Sequence, residues 1–210
     1  MNRVAIPLAV AMVWAGWCFL HSFLISDPVV GWWRRRLGRR FAWYRLGYVL
    51  FSLLTLVPAV FFQFSVPQHL LFSWRGGFQI LRILMLALAG ALFWAGARAY
   101  DMKWFLGVAQ VSRSSSGEVE DKPGLAMDGV LRWVRHPWYS GGILFLWAVD
   151  DITTVGLAAK VVLSAYLVVG ASLEERKLLR LHGESYEAYR QQTPMFIPRP
   201  PGWSSGRRER

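Results

Sequence analysis

Two stretches concentrate the residue types that do chemistry. Gly129 to Gly142 reads GVLRWVRHPWYSGG, and Glu174 to Pro198 reads EERKLLRLHGESYEAYRQQTPMFIP. In the first, Pro137 disfavours helical geometry at His136 and opens a new helix, which frees the backbone groups around His136 at that helix's mouth, a setting suited to ligand binding. In the second, Glu174 and Glu175 follow directly on a 22-residue apolar helix, at a depth where an acid costs energy unless it is paired or functional. Tyr186 and Tyr189 stand three apart, on one helical face. Each feature also has a plainer reading: a helix cap for His136, an interfacial anchor for the glutamates, an aromatic belt for the tyrosines. The single cysteine, Cys18, has no partner for a disulfide or a thiolate zinc site, and no metal is expected.

The elements that must position these residues are set by hydropathy. The chain has 210 residues, 54% hydrophobic and 18% charged, with 12 Trp, 13 Phe and a formal charge of +11; its apolar and basic blocks alternate as in an integral membrane protein. Nucleic acid is disfavoured as a partner, because the arginines lie between runs long enough to span lipid. Val4 to Ile25 holds 22 residues without a charge, and about 20 helical residues cross a hydrocarbon core; as a signal peptide it is too long and lacks a cleavage site. A second span is expected over Leu46 to about Val66, kinked at Pro58, and a third over Phe78 to about Tyr100, with Arg82 and Arg98 snorkelling at its ends. Trp138 to Leu173 is broken by Asp150-Asp151 and Thr153-Thr154, a hairpin turn in which an aspartate is expected to cap the returning helix. The first arm of that hairpin, Trp138 to Val149, is only twelve residues, about 18 Å of helix. Either the hairpin stops part way across or the RHPWY sequence sits at membrane depth.

The fold expected is therefore all-α integral membrane, with about five transmembrane helices, the last two a helical hairpin, and a cytoplasmic C-terminal cofactor-binding segment. Arg34, Arg35, Arg36, Arg39, Arg40 and Arg45 crowd the first loop, whereas the second holds only Arg75. The first loop is thus cytoplasmic, with the N-terminus out and both the Met102 to Pro137 loop and the tail after Leu173 on the cytoplasmic side. Residues 1–210 read as one membrane domain: three N-terminal helices over 1–100, a catalytic region over 101–198 and a basic tail over 199–210. Ser112 to Lys122 reads as a flexible connector, and Pro198 to Arg210 as a disordered tail near anionic lipid.

The RHPxY sequence, the EE pair, the Gly-x-x-Tyr-x-x-Tyr spacing and a closing Pro, in that order over Leu125 to Pro198, resemble the signature of the isoprenylcysteine carboxyl methyltransferase and phospholipid methyltransferase superfamily. WCFLHS in the first helix and YDMKWFLG after the third resemble its nurim-like and methanethiol S-methyltransferase-like branch. The resemblance implies an S-adenosylmethionine-dependent methyltransferase in a membrane, the bacterial inner membrane, acting on a small or lipophilic thiol, carboxylate or amine. It implies cofactor contacts from Leu125, His136, Pro137, Trp138 and Tyr139, with Glu174 at the cofactor's polar end. Two positions depart from the pattern: Leu131 stands where a tyrosine is frequent, and Gly170 where an arginine grips the carboxylate of prenylcysteine substrates. Arg98 and Arg176 are the cations that could compensate.

Methyl transfer from a sulfonium to an anion neutralises charge, so a water-poor site favours it and no metal is required. A neutral thiol would also have to lose its proton. His21, lone in the first helix, is a candidate base if it faces the bundle; its other reading is a hydrogen-bonded buried histidine. The rival functions are a non-enzymatic nurim-like membrane scaffold and a small-molecule carrier, the latter disfavoured because the acids and His lie toward one face and not at the midplane.

Overall fold

A computed structural model describes residues 4–116 and 124–200. The chain order is α1 (Ala5–Ile25), α2 (Asp27–Leu37), a 3-10 segment (Gly38–Trp43), α3 (Tyr44–Ser65), β1 (Leu70–Phe72), α4 (Phe78–Ala99), α5 (Met102–Leu106), α6 (Val108–Ser116), a second 3-10 turn (Gly129–Arg132), α7 (Pro137–Ala148), β2 (Ile152–Thr153), α8 (Thr154–His182) and α9 (Glu184–Gln192). Among the described residues, four stretches are long and apolar enough to cross a membrane: Ala5–Ile25, Asp27–Ser65, Phe78–Ala99 and Thr154–His182. Of the five spans expected, α7 is the one that falls short, with 12 residues. Leu8, Phe19, Leu54, Phe61, Ile80 and Leu84 are exposed, the outward face that lipid contact leaves on such helices.

The chain forms two compact units. The first comprises Met1–Ser73, Asp101–Pro123 and Asp151–Leu163. Its core is Val10, Trp14, Ala59, Val155 and Ala159, so the first turns of α8 pack with α1 and α3. These last two helices run antiparallel and are joined at successive turns by polar pairs. Trp14 Nε1 donates to Gln63 Oε1 at 2.7 Å, Trp17 Nε1 to Thr55 Oγ1 at 3.2 Å, and His21 meets Ser52 and Tyr48; in lipid, where apolar contact alone does not drive helix association, such pairs set the register. Outside the long helices, β1 and β2 pair antiparallel, Leu70 with Thr153 and Phe72 with Ile152. Asp101 caps α5 by accepting from the Trp104 amide at 3.0 Å. Gly107 ends α5 at φ 89, and a Cβ there would lie 2.5 Å from the Leu46 amide nitrogen, so only glycine lets α5 and α6 sit against the start of α3.

Three readings of the loops need correction. The cap of α8 is Thr153, whose Oγ1 accepts from Gly156 N at 2.9 Å, and not an aspartate, because Asp151 precedes β2 and accepts from Ser73 Oγ at 2.9 Å. The arginine-rich first loop is itself helical, α2 closing with Arg34, Arg35 and Arg36 in its last turn, where cations complement the helix dipole. Ser112 to Ser116 belongs to α6 and is not connector; the rest of that connector, 117–122, lies outside the described residues.

The second unit comprises Trp74–Tyr100, Gly124–Asp150 and Ser164–Arg210. Here α4 and α7 approach closely through glycines: a Cβ on Gly96 would collide with the Trp138 indole, and one on Gly141 would lie 3.2 Å from Ala89 O. Small residues at such a contact let backbones meet. Arg82, expected to snorkel, instead closes the end of α7, donating to Ala148 O at 2.9 Å and Val149 O at 2.7 Å. The helical hairpin is present: Trp147 Nε1 donates to Ser164 Oγ at 3.0 Å, and Gly142 and Gly170 receive Leu167 and Tyr139. Helix α8 does not stop before the glutamates but runs 29 residues to His182. Gly183, at φ 53, turns the chain into α9.

Candidate functional site

The RHP sequence behaves as its proline dictates. His136 leaves helical geometry, with φ −122 and ψ 66, and Pro137 opens α7. The backbone groups freed by that break are taken up by the C-terminal segment. Arg135 N donates to Pro194 O at 2.9 Å and His136 N to Met195 O at 3.2 Å. Ser140 Oγ is shared between His136 O and Phe196 O, at 2.9 and 2.7 Å, and Arg199 N donates to Trp133 O at 3.0 Å. Residues 193–199 therefore form a strap over 133–140. The tail expected to be free from Pro198 is held at Arg199; 201–210 lie outside the described residues.

Under this strap the two glutamates part company. Glu175 is buried, its Oε1 receiving Arg135 Nε at 2.7 Å, Nη2 at 2.6 Å and His136 Nε2 at 3.2 Å, while Arg190 Nε stands 3.6 Å from Oε2. Arg135 also donates to the carbonyls of Arg190 and Thr193, locking α9 and the strap to α8. A buried carboxylate so fully partnered has little left to offer a ligand. Glu174, one residue away and so turned to another face of the helix, is 46% exposed; its Oε2 lies 3.8 Å from His136 Nδ1, and its charge, after burial, pushes the Tyr139 phenol up.

Aromatic rings gather around the neighbouring His136 and Trp138. Tyr139 meets the His136 ring edge-on at 5.3 Å, Phe196 lies 6.2 Å from it, and Tyr100 meets Trp138 edge-on at 5.2 Å. Burial holds the His136 imidazole below the ordinary histidine range, outweighing the upward pull of Glu174 and Glu175. Burial, and then the charge of Glu174, pushes the Tyr100 phenol up; Tyr186 is pushed up to about 12 by burial first and by Glu175 next. These phenols stay neutral at working pH, hydrogen-bond donors beside a carboxylate.

His136, Pro137, Trp138, Tyr139 and Glu174 thus lie together, in the second unit. Pro137 is fully buried; the Trp138 indole donates to Phe93 O at 3.0 Å. Leu125 is half-buried in the irregular stretch before Gly129. Leu131 is buried and its carbonyl accepts from Tyr189 Oη at 2.6 Å. At Gly170 a Cβ would lie 3.3 Å from Tyr139 Cε1, so the Tyr139 ring fills the space there. Arg98 stacks on Trp94, one turn earlier, at 5.1 Å, and Arg176 is exposed; neither has a described contact with Tyr139 or Glu174. His21 belongs to the first unit. Ser52 Oγ donates to Tyr48 O at 2.8 Å and so accepts from His21 Nδ1 at 3.1 Å, which leaves His21 Nε2 to accept from Tyr48 Oη at 2.7 Å. The lone pair a base would use is engaged.

Arg135, Arg190 and Tyr100 are the participants that sequence reasoning missed. The signal for Arg135 was its place beside His136 in a freed segment, with two adjacent carboxylates later in the chain that needed a cation.

Comparison with known proteins covers most of the chain. The profile of the NnrU protein family matches residues 8–197. The methanethiol S-methyltransferase of Pseudomonas sp. (strain GM41(2012)) is 32% identical over 116 residues, 52% of this chain and 45% of that protein. That of Crocosphaera subtropica is 29% identical over 179 residues, 85% of this chain and 69% of that protein. The protein-S-isoprenylcysteine O-methyltransferase of Schizosaccharomyces pombe is 35% identical over 79 residues, 35% of this chain and 33% of that protein. The chain spans about half the length of the first of these curated relatives and a third of the last. No solved structure matches. The superfamily and the branch suggested by the RHPxY, EE and WCFLHS sequences are borne out. Since the profile runs from the first membrane helix to the strap over His136, the chain belongs to the NnrU protein family.

Proposed function

We propose that this chain is an integral-membrane methyltransferase that uses S-adenosylmethionine and acts on a small or lipophilic acceptor, a small thiol before a carboxylate or an amine. The observation that carries the reading is Glu174: a half-open carboxylate beside the neutral His136 imidazole, with its charge acting on the Tyr139 and Tyr100 phenols. Such a set fits a cationic ligand, through charge and through the ring faces. S-adenosylmethionine supplies an electrophilic methyl group on a sulfonium sulfur. The chain's part is to hold its polar end on Glu174, keep water out beneath the strap and fix the line of approach, which suffices for a reaction that neutralises charge. The curated relatives named as methanethiol S-methyltransferases support the thiol. So does Gly170, since with Tyr139 seated against it there is no guanidinium to grip a carboxylate.

In the same reading the chain sits in a bacterial inner membrane with its N-terminus out and its C-terminus cytoplasmic, because the arginine-rich α2 and the 3-10 segment mark the cytoplasmic side. The test is titration calorimetry of the methyl donor, and of its demethylated product, into the detergent-purified chain. Binding in the micromolar range is expected. A folded protein that takes up no heat at millimolar ligand would end the proposal.

A further inference from the structure

We propose that His136 is the general base that takes the proton from a thiol acceptor, with Glu175 as the positioning residue that fixes its tautomer. This role rests on the proposed methyl transfer to a thiol and goes beyond the cofactor contact that the family resemblance implies for His136. A thiol has to lose its proton on the way to the product, because the thiolate is the attacking form. His21 does not supply that step, its Nε2 lone pair being engaged by Tyr48.

The buried ion pair decides which nitrogen acts. Glu175 is held by Arg135 at 2.6 Å, so its carboxylate can only accept, and His136 Nε2, 3.2 Å from Oε1, is the donor. With the imidazole kept neutral by burial, the lone pair is then on Nδ1. A carboxylate behind one ring nitrogen orients the ring and stabilises the imidazolium that forms, while the opposite nitrogen takes the proton.

The acid beside Nδ1 is Glu174, whose Oε2 lies 3.8 Å away, too far for a hydrogen bond. Both atoms are acceptors, so the pair calls for a proton donor from outside, and the 46% exposure of Glu174 leaves that approach open. The groups facing the imidazole are Glu174 and Glu175 of α8, Arg135 beside it, Tyr139 of α7 and Phe196 of the strap, with Arg190 of α9 behind Glu175. The rings of Tyr139 and Phe196 flank it with apolar surface that suits a small alkyl thiol. The S–H bond breaks toward Nδ1, leaving an imidazolium between the two glutamates. The sulfur's electron pair forms the new bond to the methyl carbon, and the electrons of the old bond return to the sulfonium sulfur. A thioether and the demethylated donor result, and the proton leaves Nδ1 for water past Glu174.

Nitrogen NMR of the full chain in detergent, labelled at histidine and free of methyl donor, reads the tautomer directly. A neutral His136 with its proton on Nε2 is expected, and propanethiol should move the Nδ1 resonance while methyl propyl sulfide leaves it in place. Kinetics supply a second readout. In the unaltered protein, kcat/KM for propanethiol should be level from about pH 7 to 9, whereas attack by thiolate already formed in solution raises it about tenfold per pH unit. His136→Gln should lower kcat/KM for propanethiol about a hundredfold relative to that for pentafluorothiophenol, an acidic thiol already ionised. If that variant does not fold, the resonance and the pH profile of the unaltered protein still decide. A proton on Nδ1, a resonance that answers the demethylated donor and no thiol, a tenfold rise per pH unit, or an equal loss for both thiols in a folded variant overturns the proposal. Transfer to neither thiol would instead overturn the methyl-transfer reading beneath it.

Discussion

Adjacent glutamates with opposite fates define the residue scale. Glu175 holds a buried ion pair with Arg135, and breaking one partner of such a pair costs about 3–5 kcal/mol. Glu175→Gln should therefore lower the melting temperature in detergent sharply, whereas Glu174→Gln should leave melting nearly unchanged and weaken binding of the methyl donor at least about tenfold. Unchanged donor affinity in the second variant would assign Glu174 a structural part only. His136 gives a pH signature. Its imidazole is held below the ordinary value of about 6.5, so the unfolded chain binds the extra proton first. Stability from this group is complete above pH 6.5 and is lost as pH falls below it toward the depressed folded value. Denaturation midpoints measured from pH 7.5 down to 5.5 should fall, and His136→Gln should flatten the slope. An equal slope in both proteins would place the titration elsewhere.

At the scale of elements, Arg82 ties two helices by a pair of bonds from one guanidinium to the last carbonyls of α7. Arg82→Leu leaves these without donors, and a loss of about 1–2 kcal/mol in detergent is expected; unaltered melting would mean that water serves as well. Of the long helices, α1, α3 and α4 were legible in the sequence to within two residues, because an apolar run of membrane length admits one conformation, whereas α8 runs nine residues past its expected end at Leu173. The break at His136 was legible for a local reason as well, the proline after it. The shorter elements were less so. An arginine-rich run reads as a loop by composition, and only the dipole-matched ending of α2 marks it as a helix. The cap of α8 was misassigned by two residues, since Asp151 and Thr153 are both good caps and the choice depended on Ser73, far away in sequence. The Arg135–Glu175 pair joins positions separated by 40 residues, with no periodicity to announce it.

For the whole molecule, the division into two compact units implies that ligand effects can be localised. Hydrogen exchange with and without the demethylated donor should show protection over 133–140 and 174–196, with the amides of α1 unchanged. Protection around His21 would bring that histidine into the site, against its engagement by Tyr48 and Ser52.

The strap has a consequence for how the protein is made. The carbonyls that receive the Arg135 and His136 amides lie at Pro194 and Met195, so during synthesis α1 to α8 are complete before the site has its last wall. A nascent chain must hold the RHP segment open until Pro194 and Met195 have left the ribosome. A premature stop after Gln192 would then yield a protein that inserts, resists extraction from the membrane and is inactive. Its abundance would give no hint of the defect.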